Sequence, residues 1–285
     1  MKTKTSIRFF NNIPVRAMWN NDEKKWLYSA SDVINAITES NNSRRYWNTI
    51  KSRHIELSTI CRQLKLTASD GKQYVSDVLD NEGIQILLLI IKGKNKLAFS
   101  KWIKGLANPI DEESRVRAYD LFESGLLSDI EIGKTKGLEK IHSFLFNGLY
   151  PFAGKIREKN ISKNGFIFAN CMYLSDVLKN IDNMKENDFD SIIDKYIEMN
   201  IAHPFMEGNG RATRIWLDLM LKKNIGKVVD WSKIDKKDYL DAMEKSPTDS
   251  SIINKLLFNA LTDKINDREI FLKGIDYSYY YEEID

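Results

Sequence analysis

Residues 203–214, His-Pro-Phe-Met-Glu-Gly-Asn-Gly-Arg-Ala-Thr-Arg, gather into one short stretch the side chains that phosphate chemistry uses. Gly208-Asn209-Gly210 ahead of a helix lets successive backbone N–H groups converge, and the positive end of the helix favours an anion there. Arg211 and Arg214 stand three apart on the first turn, on one side of that helix, and can fork onto phosphate oxygens. Glu207 is a single carboxylate of the kind that, with phosphate oxygens and water, holds Mg²⁺. His203, at the other lip, can accept a proton from an attacking hydroxyl near neutral pH. Each piece alone is ordinary, since a lone histidine is usually structural and Gly-Asn-Gly is usually a turn. In this order, ahead of an amphipathic helix, they point to a phosphate site with a base. The chain has no Gly-x4-Gly-Lys-Ser/Thr, so a Walker-type loop is excluded.

Apolar periodicity shows what positions this stretch. Downstream, Ala212, Ile215, Trp216, Leu219 and Met220 fall on one helical stripe, and upstream Phe189, Ile192, Ile193, Tyr196 and Ile197 form another. The loop is therefore held between two buried helices. Earlier, Ser114 to Gly125 and Ile132 to Leu149 read as helices, the second with Leu138, Ile141, Leu145 and Leu149 on one face and His142 as a packed side chain. Between them and the site, Ile156 to Asn170 alternates around Lys163-Asn164-Gly165, which predicts a β-hairpin. Helices over about 235–245, 249–262 and 265–273 precede a tyrosine-rich acidic tail, 275–285.

The first hundred residues have a different character. Residues 1–105 carry 18 Lys and Arg against 9 Asp and Glu, and the remainder carries 25 against 31, which marks a boundary near 105. Short aromatic and β-branched runs at 6–10, 13–19 and 26–28, separated by Asn/Asp clusters, predict a small antiparallel sheet. A helix follows over 29–37, capped by Ser29 or Ser31. The stretch 41–53 interleaves Arg44, Arg45, Lys51 and Arg53 with Tyr46 and Trp47, equally a phosphate-holding surface or a solvated basic face. Cys61 and Cys171 stand far apart, so neither a disulfide framework nor a zinc site is signalled, and both read as small buried hydrophobes. The densest apolar run, Ile84 to Ile91, contains Gln85 and falls far below the roughly 20 residues a membrane span needs, and the N-terminus lacks a secretory pattern. A cytoplasmic protein with no membrane contact is the expectation.

The fixed positions of 203–214 all resemble the Fic family signature His-x-Phe-x-Asp/Glu-Gly-Asn-Gly-Arg-x-x-Arg, and the likeness extends over about 115–262. The resemblance implies an all-helical domain with a β-hairpin flap that transfers AMP from ATP to a Ser, Thr or Tyr hydroxyl of a target protein, using Mg²⁺. It implies His203 as general base, Phe205 as core anchor of the loop and Glu207 as Mg²⁺ ligand. Asn209 with the Gly208 and Gly210 amides would hold the α- and β-phosphates, Arg211 the β-phosphate and Arg214 the γ-phosphate. The segment FAGKIR…NGFIFA resembles the flap, with Gly165 and Phe166 near the tip that aligns the target main chain. Ser278-Tyr279-Tyr280-Tyr281-Glu282 is similar to the family's inhibitory motif Ser/Thr-x-x-x-Glu-Gly/Asn, departing from it at Glu283; Glu282 would then pair with Arg214 in place of a γ-phosphate.

Residues of about 5–105, through FF-x-x-IPVRAMW, WLYSASDVINAI and GIQILLLIIKGKNKLAFSKWI, resemble the Bro-N type N-terminal domain of phage antirepressor and baculovirus repeated-ORF proteins. That implies a small α+β domain with DNA as its candidate partner, or else a protein-interaction module. The expected architecture is thus mainly α: an α+β domain at 1–105, a helical catalytic domain at 106–274 and an inhibitory tail at 275–285. Three activities compete: a protein adenylyltransferase restrained by Glu282, a DNA-binding regulator whose helical domain senses nucleotide, and an enzyme that removes AMP with Glu282 positioning water. A second copy of the chain is a further candidate partner.

Overall fold

The computed structural model describes residues 5–68, 72–105, 109–163 and 165–282. Contacts divide the chain between Glu112 and Glu113 into two compact units, each described by itself below.

The N-terminal unit is built on a five-stranded antiparallel sheet in the spatial order Thr5–Phe10, Ile13–Asn20, Lys25–Ser29, Gln73–Leu79, Arg62–Thr67. The first hairpin turns on Asn11 and Asn12, both at positive φ (47° and 63°), a conformation asparagine tolerates better than most residues. The helix Ala30–Thr38 starts where the Ser29 hydroxyl accepts from the Asp32 amide, and it buries Val33, Ile34 and Ile37. Asp32 also accepts both arms of Arg16, at 2.7 and 2.9 Å, tying the helix to the second strand. The strands 62–67 and 73–79 carry little signal in the sequence because they are largely exposed, with only Leu66, Val78 and Leu79 buried and Leu64 partly so.

The basic stretch forms the helix Ser43–Arg53. Trp47 is buried and its indole N–H donates to Asp77 at 2.6 Å, and Lys51 pairs with the same carboxylate. Lys51 therefore belongs to the fold, whereas Arg44, Arg45 and Arg53 remain exposed. Both cysteines are partly exposed rather than buried as expected, because each lies in a connecting segment outside the helices.

The C-terminal unit is helical. Its centre is the helix Asn209–Ile225, buried almost all round through Leu221 and packed on Thr135–Phe146, Phe189–Ala202 and the C-terminal helix Arg268–Glu282. A helix apolar on one stripe would expose the rest; here the polar members Asn209, Arg211, Thr213 and Arg214 are buried too, so each must find partners inside. The helix expected over 132–149 ends at Phe146, and Leu149 lies in the following turn. The tail expected at 275–285 is, as far as Glu282, the second half of the helix that begins at Arg268; Glu283 to Asp285 lie outside the described residues. Asp276 is 2% exposed and accepts from Arg115 at 3.3 Å and from the Tyr119 hydroxyl, both on the helix Pro109–Glu123. Tyr279 donates to Ser114 of that helix at 2.7 Å. Among the described residues no helix is long and apolar enough to cross a membrane.

Candidate active site

The loop between the two central helices begins where Phe189–Ala202 stops. His203 takes the left-handed conformation (φ 48°) as C-cap, and its amide closes the last turn on the Met199 carbonyl at 3.0 Å. The buried Arg157 holds this bend from beneath: its amide donates to Pro204 O at 2.9 Å, and its guanidinium donates to His203 O at 2.8 Å, Ala202 O at 3.1 Å, Lys159 O at 2.7 Å and Ala169 O. One side chain thus ties the loop to the base of the flap.

Phe205 is fully buried and stacks on His142 at 3.8 Å. His142 is satisfied at both nitrogens: Nδ1 accepts from the Gly154 amide at 2.9 Å, which leaves Nε2–H to donate to Glu207 O at 2.8 Å. Burial lowers its pKa to about 4, so it is a neutral pin for the loop, as its place on an apolar stripe suggested. Gly208 sits at φ 81°, and a Cβ there would run into the Phe146 ring, so the tight entry to the helix requires glycine on two counts.

Asn209 is where the expectation changes. Its side chain is 2% exposed, and its carboxamide is used at both ends within the loop, accepting from Phe205 N and donating to Phe205 O, each at 2.8 Å. It closes the loop on itself rather than facing a phosphate. The Gly208 amide donates to Glu207 Oε1 at 3.0 Å and Arg211 donates to the same oxygen at 3.1 Å, while the Glu207 side chain stays 56% exposed.

His203 is poised as an acceptor. Its Nδ1 lies 3.3 Å from Asn200 O, so that nitrogen carries the proton and Nε2 presents its lone pair. The ring stacks on Phe168 at 3.8 Å. Burial lowers the pKa to about 4, with Lys163 and Arg157 adding to the fall and Glu282 and Asn200 O opposing it. At neutral pH the imidazole is uncharged.

Arg214 is 3% exposed and fully engaged. It donates to Ser278 Oγ at 2.8 Å, Ser278 O at 2.9 Å, Tyr239 OH at 3.3 Å and Glu282 Oε1 at 2.6 Å, between the faces of Tyr239 and Tyr281. Burial works against its charge, but Tyr239 and Glu282 more than compensate and hold its pKa above the ordinary arginine value. Glu282 shows the complementary effect: burial would raise its carboxyl, yet Arg214, Lys163 and Arg211 bring it down to about 2. A Cβ on Gly210 would collide with that carboxylate, so the tail, glycine and arginine fit as one arrangement. Arg211 lies over the rings of Phe146 and Tyr279.

The hairpin is present as the strands Ser162–Lys163 and Phe166–Ile167, with Gly165 at φ 84°; Asn164, the other expected turn residue, lies outside the described residues. Phe166 meets Phe168 edge to face at 5.3 Å, and Phe168 is the ring stacked on His203. Lys163 reaches Glu282 Oε2 at 3.3 Å. The structure so brings His203, Glu207, Arg211, Arg214, Ser278 and Glu282 into one locality with the flap. Sequence reasoning missed Arg157, Lys163 and Tyr239 and left His142 as mere packing; the one local signal was the arginine in FAGKIR beside the flap text.

Comparison with known proteins falls on this unit. Residues 134–221 match the Fic/DOC family model, so the helical unit carries a Fic domain. The chain is 27% identical over 176 residues to the protein adenylyltransferase VbhT of Bartonella schoenbuchensis, covering 56% of this chain and 36% of that one. It is 22% identical over 143 residues to the probable protein adenylyltransferase Fic of Escherichia coli, covering 46% of this chain and 71% of that one. The chain spans about a third of the length of the first relative. Among solved structures, BepC of Bartonella tribocorum with bound AMPPNP is similar over 56% of this chain and 88% of that one, at 18% identity and a TM-score of 0.47.

Proposed function

We propose that the chain is a protein adenylyltransferase that transfers AMP from ATP to a hydroxyl of a target protein and is restrained by Glu282. The observation that carries this is the pairing of a neutral histidine, its Nε2 lone pair presented, with a buried arginine whose anion position is filled by the chain's own carboxylate. In the reaction, the target hydroxyl gives its proton to His203 Nε2 as its oxygen bonds to the α-phosphorus. The bond from the α-phosphorus to the bridging oxygen breaks, and pyrophosphate leaves. Arg211 and Arg214 stabilise charge on the leaving group. The named activities of the two adenylyltransferase relatives support the reaction class.

Glu207 is an exposed single carboxylate, and among the described residues no three His, Cys, Asp or Glu side chains cluster as a metal cage. That fits Mg²⁺, which typically takes one or two carboxylates and completes its shell with phosphate oxygens and water. Held on Glu207, it would supply charge neutralisation to the leaving pyrophosphate. Removal of AMP is less well supported, because a carboxylate at about 2 in the grip of Arg214 and Lys163 is a poor base for water.

The test is His203→Ala in the full chain, which is expected to lose transfer of labelled AMP while keeping ATP binding. Full transfer by that variant would reject the base assignment. For the N-terminal unit we propose nucleic-acid contact through Arg44, Arg45 and Arg53, exposed on one helix while Lys51 and Trp47 anchor it.

A further inference from the structure

Lys163 is not part of the signature at 203–214 and enters the site from the flap. Its Nζ lies 3.3 Å from Glu282 Oε2, and Arg214 Nη2 lies 2.6 Å from Oε1 of the same carboxylate. The carboxylate is therefore bridged by two cations from different elements, one in the buried core of the helix Asn209–Ile225 and one on the hairpin. The hairpin register sets Lys163 opposite Phe166, which leans on Phe168, which stacks on His203. That chain of contacts places the strand that carries Lys163 beside the base, and its ammonium meets the carboxylate from there.

We infer that Lys163 is a ligand of the terminal phosphate of ATP once Glu282 has left, and so a nucleotide-binding residue of the flap. This rests on the proposal that Arg214 receives the γ-phosphate. An anion that replaces the carboxylate between Arg214 and Lys163 meets both cations. A γ-phosphate brings three terminal oxygens and more negative charge than a carboxylate, so it can satisfy the core arginine and the flap lysine together. Charge and reach, rather than shape, make the lysine suitable, because an ammonium on a flexible stem can follow the larger anion. In the restrained state the same lysine binds the tail. Loss of Lys163 thus weakens Glu282 and ATP alike, and its contribution to the nucleotide is visible only where Glu282 is absent.

The experiment measures ATP, ADP and AMP dissociation constants by calorimetry on full-length Glu282→Gly and on the same chain with Lys163→Ala or Lys163→Arg added. Because the lysine side chain is 58% exposed, a charged hydrogen bond there is screened, and Lys163→Ala is expected to weaken ATP by about 5- to 10-fold. ADP and AMP, which lack the γ-phosphate, should stay within twofold, and Lys163→Arg should restore most of the ATP affinity. Unchanged ATP affinity in Lys163→Ala, or equal weakening of all three nucleotides, overturns this inference alone. Absence of ATP binding by Glu282→Gly itself overturns the nucleotide site and the inference together. Melting curves for each variant separate lost binding from lost folding, and Lys163→Arg keeps the charge if Lys163→Ala unfolds.

Discussion

Replacing Glu282 by glycine asks how strongly the tail competes for Arg214. The carboxyl stands at about 2 against an ordinary 4.5, and at about 1.4 kcal/mol per unit that difference corresponds to roughly 3 kcal/mol of preference for the charged over the protonated carboxyl in the docked position, an upper bound on what docking of the carboxylate contributes. Hydrogen bonds to charged groups contribute about 1.5–3 kcal/mol, which agrees. Two features pull the effect down from the upper value: the Glu282 side chain is 26% exposed, and Ser278 keeps its two bonds to Arg214 in the variant. The ATP dissociation constant is then expected to fall by roughly 10- to 100-fold, since about 1.4 kcal/mol is a factor of ten. AMP transfer at low ATP should rise by the same factor. Glu282→Gln, which keeps a hydrogen-bond acceptor and removes the charge, should fall between. Calorimetric titration with ATP and labelling of a host lysate with radioactive ATP read the two effects. Stability moves the other way, because an ion pair is lost, so the melting temperature of Glu282→Gly should drop as its activity rises. ATP affinity and transfer both within twofold of wild type would refute the competition.

Three further outcomes follow from the same geometry. His203 must be unprotonated to act and stands at about 4, so transfer should be flat from about pH 8 to pH 5 and fall only as pH approaches 4; Glu282 holds that value up, so Glu282→Gly should move the acid limb lower still, and a limb near pH 6.5 would show an ordinary, solvated histidine. Asn209→Ala should destabilise the unit by roughly 2–4 kcal/mol, because it leaves the buried amide and carbonyl of Phe205 unpaired, as read by chemical denaturation; lost transfer with unchanged stability would return Asn209 to the phosphates. Arg44→Ala with Arg45→Ala should weaken DNA binding to the full chain about equally across sequences and reduce the magnitude of the salt slope by about two; an unchanged slope would remove that face from any nucleic-acid contact.

What could be read from the sequence was the part of the site whose partners are neighbours along the chain. Gly208, Arg211 and Arg214 act through helix geometry, which spacing alone specifies, and the stripes at 189–197 and 212–220 announce the two helices that flank them. Glu282 could be proposed because a five-residue pattern carries it. The flap hairpin was legible for the same local reason, a turn dipeptide between apolar residues, whereas the polar strands Arg62–Thr67 and Gln73–Leu79 carry no comparable signal. Roles that depend on distant pairing were not legible. Asn209 sits where a phosphate ligand is wanted and has the right chemistry, but its carboxamide meets the Phe205 backbone, a fact set by how sharply Gly208 turns the loop. Lys163 reads as one more solvated lysine until the C-terminal helix, locked at Asp276 by Arg115 and Tyr119, delivers Glu282 to it more than a hundred residues later in the chain. The buried contacts of Asp276, Ser278 and Tyr279 seat the helix that carries the carboxylate to this place. A tail of eight or nine free residues would pay its ordering entropy in full at each docking, at about 1–2 kcal/mol per residue, and an ion pair of about 1.5–3 kcal/mol could not hold it. Only the continuation of an already seated helix lets so small an interaction decide the state of the site.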